Sequence, residues 1–437
     1  MGQSFYTNVL QYGNFLLVRE VKNGERNLNK RVKYSPTLFA PVRKETPYKT
    51  LDGKYVTDIK FDTIKEAKEH VEAYKSQPEL IYGNTLHTYS YIADQYKGHV
   101  EFDIDQLMMA TIDIEVKSEN GFPSPTEAKE ELLSITIKNH QSKKIVVWGI
   151  GDFTTERKDV TYIKCETEVH LLKEFIVFWE RHYPDIITGW NTEFFDIPYI
   201  CNRIVSLFGE DELKRLSPWG SVREREVYQL GRRQQAYDIA GIASLDFMAL
   251  YRKFTYTAQE SYALNHIATV ELGEQKDGNP YETFSEWYQK DWQSFIEYNI
   301  QDVEIVDKLE DKMRLVELCL TMAYDAKVNY TDVLGSVKYW DILIYNYLRE
   351  RNIVIPQKVV HEKSEKFEGA YVKEPQVGMH KWVMSFDLNS LYPHLIMQYN
   401  ISPETLIPSE PVTGLVDKLL EGKARNETEH CMTPNGA

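Results

Sequence analysis

Hydrophobic and polar positions change their period along the chain, and the change predicts separate regions. Residues 1 to about 107 alternate in short runs typical of strands, with hairpin signals at Asn23-Gly24 and Asp52-Gly53. From about 108 to 314, strand-like runs alternate with helix-like runs. This order predicts an α/β layer fold that follows a β-rich N-terminal domain.

Two helices are indicated by local signals. Asp62 or Thr63 is a suitable cap for a short helix that runs through Tyr74. The clearest helical pattern spans residues 291–320, where apolar side chains recur at steps of three and four. Those positions are Val303, Val306, Leu309, Met313, Val316 and Leu320.

Composition narrows the class of protein. A chain of 437 residues, with 42% hydrophobic and 27% charged residues, is typical of a soluble protein of two or three domains. No apolar run is long enough to span a membrane, and the N-terminus does not resemble a signal peptide. The four cysteines have no paired spacing, which favours a reducing cytoplasm. The net charge of −15 carries little weight, because binding to a phosphate backbone needs only a local basic stripe.

The first candidate site lies in the segment Thr111–Val116, which is predicted to be a strand. Its alternation places Asp113 and Glu115 on one face, opposite the apolar Ile112 and Ile114. Two neighbouring carboxylates can chelate a divalent metal ion. For the pair alone, however, a solvated strand face is the commoner explanation.

Two further acidic elements follow. Asp196 comes after the turn Gly189-Trp190-Asn191, immediately before an apolar helix start, where a plain N-cap is the alternative explanation. Tyr298 and Asp302 are four residues apart on the predicted helix and therefore share a face. An ordinary surface pair is the alternative for these two residues.

Taken in order, the three elements resemble the proofreading 3′→5′ exonucleases of family B DNA polymerases, which have an RNase H-like fold. The spacing of Asp113, Asp196 and Asp302 suits one domain of about 200 residues. The resemblance implies two Mg²⁺ ions per active site, for which Mn²⁺ can substitute. Carboxylates are the oxygen ligands that such hard cations require.

The resemblance also implies a role for each residue. Asp113 is expected to bridge both ions, with Glu115 and Asp302 completing one ion and Asp196 supporting the other. Tyr298 is expected to orient the attacking water. One metal would lower the pKa of that water, and the other would stabilise the leaving 3′ oxygen.

DNA contacts are implied at several positions. Phe122 and Phe195 match family positions that pack against the terminal nucleotide, although core packing is the plainer explanation for either alone. Asn191 matches a residue that contacts the same nucleotide. Residues 222–240 are predicted to form two polar strands that lack a core face. Their position matches the family's strand-separating hairpin, with a mere surface hairpin as the alternative.

A second motif lies near the C-terminus. Trp382–Asp387 is predicted to be a strand that ends in a carboxylate, followed by a helix with Pro393 in its first turn. The string Asp-x-x-Ser-Leu-Tyr-Pro is specific to family B polymerases, in which Tyr392 would exclude a ribose 2′-OH. The resemblance assigns metal binding to Asp387 and Leu388 and binding of a nucleotide triphosphate to Ser390, Leu391 and Tyr392.

Other segments extend the resemblance over nearly the whole chain. Glu368–Pro375 resembles the linker that carries template strand between two sites, and Asn400–Thr405 narrows the match to T-even-type phage polymerases. His394 departs from the Ser that is usual there. The implied domains are 1–107, continued by about 315–357; 108–314, the exonuclease; and 358–437, an incomplete polymerase palm.

The expected partners follow from the same resemblance. The chain holds no second Asp-Thr-Asp strand, fingers helix or thumb, and it ends at Thr433–Ala437, where an Asn-Gly turn has no strand after it. This chain alone is therefore not expected to polymerise. A second polypeptide is expected to supply the rest, with a sliding clamp bound through it, and an artificial truncation of a longer chain is the alternative. The substrates would be primer-template and single-stranded DNA, in the cytoplasm of a bacterial host. A non-catalytic fragment that binds nucleic acid or a replisome protein is the alternative.

Overall fold

The computed structural model of the chain describes residues 4–118, 121–229, 232–274, 278–358, 372–402 and 405. The chain divides into two compact units, residues 1–361 and 362–437. Parts of several sequence motifs lie outside the described residues, namely Leu230-Gly231, Glu368–Tyr371, Pro403-Glu404 and Thr433–Ala437.

The N-terminal region is rich in strands, as predicted. Both hairpin turns are confirmed, since β2 and β3 meet at Asn23-Gly24 and β5 and β6 meet across residues 51–54. The predicted helix is also confirmed, and its cap is Thr63, whose hydroxyl accepts a hydrogen bond from the Glu66 N–H. The elements are β1 Ser4–Tyr12, β2 Phe15–Lys22, β3 Glu25–Lys33, β4 Thr37–Pro41, β5 Tyr48–Thr50, β6 Tyr55–Lys60, α1 Ile64–Ala73 and α2 His87–Gln95.

A mixed sheet forms the middle of the first unit, and the predicted α/β alternation is confirmed there. Its strand order is β10-β9-β8-β7-β11-β14, with β7 antiparallel to β8 and parallel to β11. The elements are β7 Met109–Val116, β8 Leu132–Asn139, β9 Ile145–Gly149, β10 Val160–Lys164, α3 Glu168–Arg181, β11 Ile186–Thr188, α4 Asp196–Phe208, α5 Glu210–Leu213, β12 Val222–Gln229, β13 Arg232–Ile239 and β14 Ala243–Ser244.

Helices follow the sheet, and one prediction about them was wrong. The single helix expected over residues 291–320 is two helices, separated by Arg314 in the left-handed conformation (φ 53°). The buried Glu310 carboxylate accepts hydrogen bonds from the N–H groups of Val316 and Glu317, which caps the second helix. The elements are α6 Phe247–Phe254, α7 Leu264–Leu272, α8 Phe284–Lys290, α9 Trp292–Met313, α10 Leu315–Ala326, α11 Ser336–Arg349 and β15 Ile353–Val354.

The two faces of the central sheet pack against different helices. On one face, Ile112 and Ile114 of β7 join a core that contains residues of α3 and α4. On the other, Leu133, Ile145 and Val147 of β8 and β9 pack with residues of α8 and α9. Because strand side chains alternate, Asp113 and Glu115 point away from the core of α3 and α4, as the pattern predicted.

The β12–β13 ribbon is an antiparallel hairpin, as predicted. The expectation that it lacks a core face is wrong at its base. Near its base, Ala236, Tyr237 and Ile239 of β13 are buried, and the Tyr237 hydroxyl donates to Asn202 Oδ1 of α4 at 2.6 Å. Farther out, Tyr228 is exposed. The ribbon is therefore anchored at its base by these buried side chains of β13 and by the hydrogen bond to α4.

After α10 the chain returns to the N-terminal strands. Asn329 exchanges two hydrogen bonds with the backbone of Val9, each 2.9 Å long. The short strand β15 pairs in parallel with β5 and completes the sheet order β15-β5-β6-β4. The N-terminal region is thus built from both ends of the first unit.

In the second unit, the described residues contain the helix α12, Leu391–Tyr399, with Pro393 in its first turn as predicted. The strand predicted over Trp382–Asp387 is not formed. A strand is stable only where a neighbour pairs with its backbone groups, and no strand among residues 372–402 does so. Across the described residues, no helix combines the length and apolar character needed to cross a bilayer.

Candidate active site

Three predicted carboxylates meet between the sheet and α9. Asp113 and Glu115 come from β7 and Asp302 comes from α9, and they offer one oxygen each within 4.8 Å of one another. Glu115 and Asp302 are buried, and Asp113 is partly buried. Like charges held this close repel each other, and a divalent cation bound among them would offset that repulsion.

Asn299 joins this group, although the sequence interpretation did not name it. Its side chain is fully buried on α9, and its Nδ2 donates a hydrogen bond to Asp113 Oδ2. Residues 299 and 302 are three apart on one helix, so the spacing to Asp302 was an available signal. The pattern Tyr-x-x-x-Asp specifies only its first and last residues and so leaves the identity of residue 299 open.

Asp196 lies beside the same strand but outside the three-carboxylate cluster. Its Oδ1 accepts a hydrogen bond from the Ile114 N–H of β7 at 3.0 Å, so it does not serve as a plain N-cap of α4. Burial raises the pKa of Asp196 to about 8, and the nearby Asp246 and Asp302 act in the same direction. A positive charge nearby would be needed to keep this carboxyl ionised at neutral pH.

The loop from β11 to α4 carries Asn191 and Phe195 and passes close to β7. A Cβ atom at Gly189, where φ is 157°, would lie 2.5 Å from the Ile112 carbonyl oxygen, so only glycine fits. Asn191 adopts the left-handed conformation, with φ 64°, which asparagine tolerates better than most residues. The loop therefore approaches β7 closely at Gly189, two residues before Asn191.

Asp246 holds this loop and is a second residue that the sequence interpretation missed. Its carboxylate accepts hydrogen bonds from the N–H groups of Asn191 (3.2 Å) and Glu193 (3.0 Å), and it also caps α6. Burial raises the pKa of Asp246 to about 6. An aspartate before the apolar start of α6 fits an N-cap, but nothing in the sequence connects it with Asn191.

Tyr298 lies on α9, half-buried against the ring of Trp287, with ring centroids 4.8 Å apart. Burial raises the pKa of its hydroxyl well above the ordinary value, and Asp302, Glu115 and Asp113 raise it further. The hydroxyl therefore stays protonated at neutral pH and is able to donate a hydrogen bond.

Two phenylalanines form an aromatic pair near this loop. The rings of Phe122 and Phe195 lie 5.1 Å apart, and Phe122 is 84% exposed. Core packing, the plainer expectation, is therefore wrong for Phe122. Phe195 is half-buried and packs against the core of α3 and α4. An exposed ring supported by a second ring is a suitable surface for stacking a base.

A second acidic cluster in the first unit differs in chemistry. Asp307 lies within hydrogen-bond distance of His140, and the ammonium groups of Lys138 and Lys143 each lie 2.9 Å from its carboxylate. Burial alone would raise the pKa of Asp307, but these partners outweigh it and lower the pKa to about 2. Its charge is already compensated by protein cations, so the cluster of Asp113, Glu115 and Asp302 is the better candidate for a metal.

The second motif lies in a different environment. Leu388 and Tyr392 are exposed, and Ser390 adopts the left-handed conformation just before α12. Asp387 belongs to no cluster of three potential metal ligands in the described part of the chain. The residues predicted for nucleotide binding are therefore adjacent at one helix start.

Comparison with known proteins identifies two matching family profiles. "DNA polymerase family B, exonuclease domain" matches residues 58–267, and "DNA polymerase family B" matches residues 336–430. The first match contains Asp113, Glu115 and Asp196, and the second contains Asp387.

Curated relatives agree with these profiles. The DNA-directed DNA polymerase of Escherichia phage RB69 is 34% identical over 99% of this chain and 51% of its own length. The corresponding protein of Enterobacteria phage T4 is 32% identical, with the same coverage. The DNA polymerase of Paramecium bursaria Chlorella virus NY2A is 27% identical over 58% of this chain and 30% of its own length. The chain thus spans about half the length of the phage relatives it matches.

Proposed function

The chain belongs to the family B DNA polymerases, and on that premise we propose that its first unit is a metal-dependent 3′→5′ proofreading exonuclease. The observation that carries the proposal is the meeting of Asp113, Glu115 and Asp302 within 4.8 Å. The sheet order β10-β9-β8-β7-β11-β14, with antiparallel and then parallel pairing, supports an RNase H-like fold for residues 108–314. The intact carboxylates favour an enzyme over a non-catalytic fragment.

The carboxylate cluster supports binding of divalent cations, and the ions that we propose are two Mg²⁺, for which Mn²⁺ would substitute. Asp113 would bridge the two, Glu115 and Asp302 would complete one, and Asp196 would support the other. When bound, such ions lower the pKa of a water molecule and stabilise the leaving 3′ oxygen. All the proposed protein ligands are hard oxygen donors, which matches the preference of these cations.

The protein's own groups would position the reactants. Tyr298 keeps its proton at neutral pH, so its hydroxyl would donate a hydrogen bond to the attacking water and fix its direction. Asp196 would hold the loop and strand together through its bond from the Ile114 N–H. The carboxylates would thus compensate the charge of the metal ions, and Tyr298 would orient the attacking water.

The substrate would be the 3′ end of single-stranded DNA or of a frayed primer. Phe122 and Phe195 would stack on the terminal base, and Asn191 would contact the same nucleotide. The β12–β13 ribbon would hold the other strand away. Its Arg225 pairs with Glu193 in the loop of Asn191, which supports a link between ribbon and site.

The test is shortening of a single strand labelled at its 5′ end by the full chain. A ladder that descends one nucleotide at a time with Mg²⁺ or Mn²⁺, and stops with chelator, is expected. The variant Asp113→Ala with Glu115→Ala measures contaminating nucleases. Equal shortening by this variant and the unchanged chain would refute the assignment.

We also propose that Asp387 and Leu388 form one half of a polymerase metal site, with Ser390, Leu391 and Tyr392 at the nucleotide. Two-metal phosphoryl transfer needs a second carboxylate, which the remaining half of the relatives' length would supply. Apolar side chains such as Phe386 and Ile396 are exposed on residues 372–402 and would pack against that part. We propose as its source a second polypeptide, bound to a sliding clamp in the cytoplasm of a bacterial host, and the continuation of one longer chain is the alternative.

A complementation experiment tests whether a second chain completes the polymerase site. Co-expression with a chain that begins in the fingers region and carries the second carboxylate should give a complex that extends a primer. Asp387→Asn should stop extension and leave proofreading intact. If such a chain neither binds nor restores synthesis, the second-polypeptide proposal fails while the exonuclease proposal stands.

A further inference from the structure

Asn299 is a fully buried polar residue beside the candidate metal centre, and its side chain bonds to two elements at once. Its Nδ2 donates to Asp113 Oδ2 on β7, and its Oδ1 accepts from the Ser134 hydroxyl of β8 at 3.0 Å. The Thr136 hydroxyl donates to the same Oδ1. The carboxamide therefore connects α9 with both neighbouring strands.

The orientation of this carboxamide follows from the chemistry of its partners. Hydroxyl groups donate or accept, whereas an ionised carboxylate only accepts. The NH₂ end must therefore face Asp113, because the opposite orientation would set two acceptors against each other. The two hydroxyls are well placed to fix the oxygen end, since Thr136 pairs with Asp113 and Ser134 pairs with Glu115 across the strands.

We propose that Asn299 is a positioning residue that fixes the rotamer of Asp113 and thereby sets the affinity of the site for divalent metal ions. The inference deepens the proposed exonuclease function and rests on it. One oxygen of Asp113 is engaged by Asn299, so the plane of its carboxylate is held relative to Glu115 and Asp302. Partners of metal ligands typically change metal affinity or activity by about 10- to 100-fold when removed.

A purely structural role predicts something different. Burial of a satisfied amide would contribute to stability alone, and its loss would lower the melting temperature without changing metal affinity. Asn346 supplies a matched control, because it is also a buried asparagine of the first unit and donates to a backbone carbonyl, that of Ala326, at 2.8 Å. It makes no hydrogen bond to a carboxylate in the described part of the chain.

The experiment is calorimetric titration of the full chain with Mn²⁺ in the absence of DNA, accompanied by melting curves. Asn299→Ala should weaken Mn²⁺ binding by about 10- to 100-fold. In the exonuclease assay, the same variant should need a correspondingly higher Mg²⁺ concentration for half-maximal rate. Asn346→Ala should lower the melting temperature and leave Mn²⁺ affinity unchanged.

Thr136→Val is the second variant, and it decides the matter if Asn299→Ala does not fold. Valine keeps the shape of threonine but removes one donor to the carboxamide, so a smaller loss of Mn²⁺ affinity is expected. Unchanged affinity in folded Asn299→Ala, or in Thr136→Val if the former is unfolded, overturns the inference.

The same titration separates this inference from the proposed function. Mn²⁺ binding that is abolished by Asp113→Ala with Glu115→Ala but unaffected by Asn299→Ala would refute the positioning role alone. If the unchanged chain does not bind Mn²⁺ at these carboxylates, the proposed exonuclease and the inference fall together.

Discussion

The acidic residues of the two units differ in what surrounds them. Asp113 lies on a strand with β8 on one side and β11 on the other, and a buried asparagine holds its carboxylate. Asp387 lies in an exposed segment without strand pairing among residues 372–402. Both stand in motifs of the same polymerase family, yet only the first forms a carboxylate cluster in the described structure.

The difference shows what converts a motif into a site. The first motif forms a cluster from residues of its own unit, because α9 brings Asp302 and Asn299 to β7. The second motif would need another carboxylate-bearing strand as its neighbour. In the first unit, the cluster forms because the helix that carries the third carboxylate packs against the strand that carries the other two.

The contrast between the two acidic motifs depends most strongly on the first cluster being catalytic. Asp302→Ala should reduce exonuclease activity by about 10³-fold, since metal ions supply several kcal/mol and each 1.4 kcal/mol is tenfold in rate. Without divalent ions its melting temperature should stay the same or rise, because one of three repelling carboxylates is gone. Rates of single-strand shortening and melting curves measure the two effects.

Glu304→Ala is the matched control for that variant. Glu304 lies two residues farther along α9, and its carboxylate pairs with Arg157 instead of joining the cluster. Its loss should leave the exonuclease rate nearly unchanged. Equal activity losses in Asp302→Ala and Glu304→Ala would mean that α9 matters only as a scaffold.

The second test concerns how α9 is held in place. Asp307→Asn should lower the free energy of unfolding by about 3 kcal/mol, because it leaves the buried Lys138 without its partner. The pKa of Asp307 is lowered to about 2, so its stabilising effect is present above its unfolded value of about 3.9. That effect is lost as the pH falls through this range towards 2.

Denaturation at pH 7 and at pH 3 measures this difference. Asp311→Asn is the control, because Asp311 is exposed and pairs with Lys143 at the surface, where little stability is expected. A variant of Asp307 that is as stable as the unchanged chain at pH 7 would contradict the account of this cluster.

A third test concerns whether the aromatic pair of Phe122 and Phe195 binds single-stranded DNA. Phe122→Ala should raise KM for single-stranded DNA by about tenfold, since stacking contributes about 1–3 kcal/mol per base. The rate at saturating DNA should change little. Tyr256→Ala removes a different exposed aromatic ring and should leave KM unchanged. An unaltered KM in Phe122→Ala would remove Phe122 from the binding surface.

The last expected effect is confined to one kind of substrate. Shortening the ribbon around residues 230–233 should slow digestion of a paired primer end by about tenfold, which corresponds to one base-pair step of about 1.4 kcal/mol. Digestion of a free single strand should hardly change, since no pairs need to be opened. Equal losses on both substrates would indicate a folding defect and end the strand-separating role.

Much of the fold was predictable because its signals are local. The turns at Asn23-Gly24 and Asp52-Gly53 and the cap at Thr63 depend on neighbouring residues only. The break at Arg314 was missed because the apolar stripe runs on through it, while the cause is the side chain of Glu310. The spacing of apolar residues does not reveal a helix break that is caused by a capping side chain.

The candidate site was predictable in part for the same reason. Asp113 and Glu115 follow from strand alternation, and Asp302 follows from its motif, so their meeting at 4.8 Å agrees with the interpretation. Asn299 and Asp246 were missed, because they act through hydrogen bonds between distant segments. Such contacts are set by the packing of α9 and α6, which no local pattern encodes.

The central claim is that the carboxylates of the first unit form a complete exonuclease site that does not need Asp387. The most direct measurement is the rate of Mg²⁺-dependent shortening of a 5′-labelled single strand by three full-length chains. The account predicts equal rates for the unchanged chain and Asp387→Ala, and no activity for Asp113→Ala with Glu115→Ala. Loss of activity in Asp387→Ala, or its survival in the paired variant, would contradict the claim.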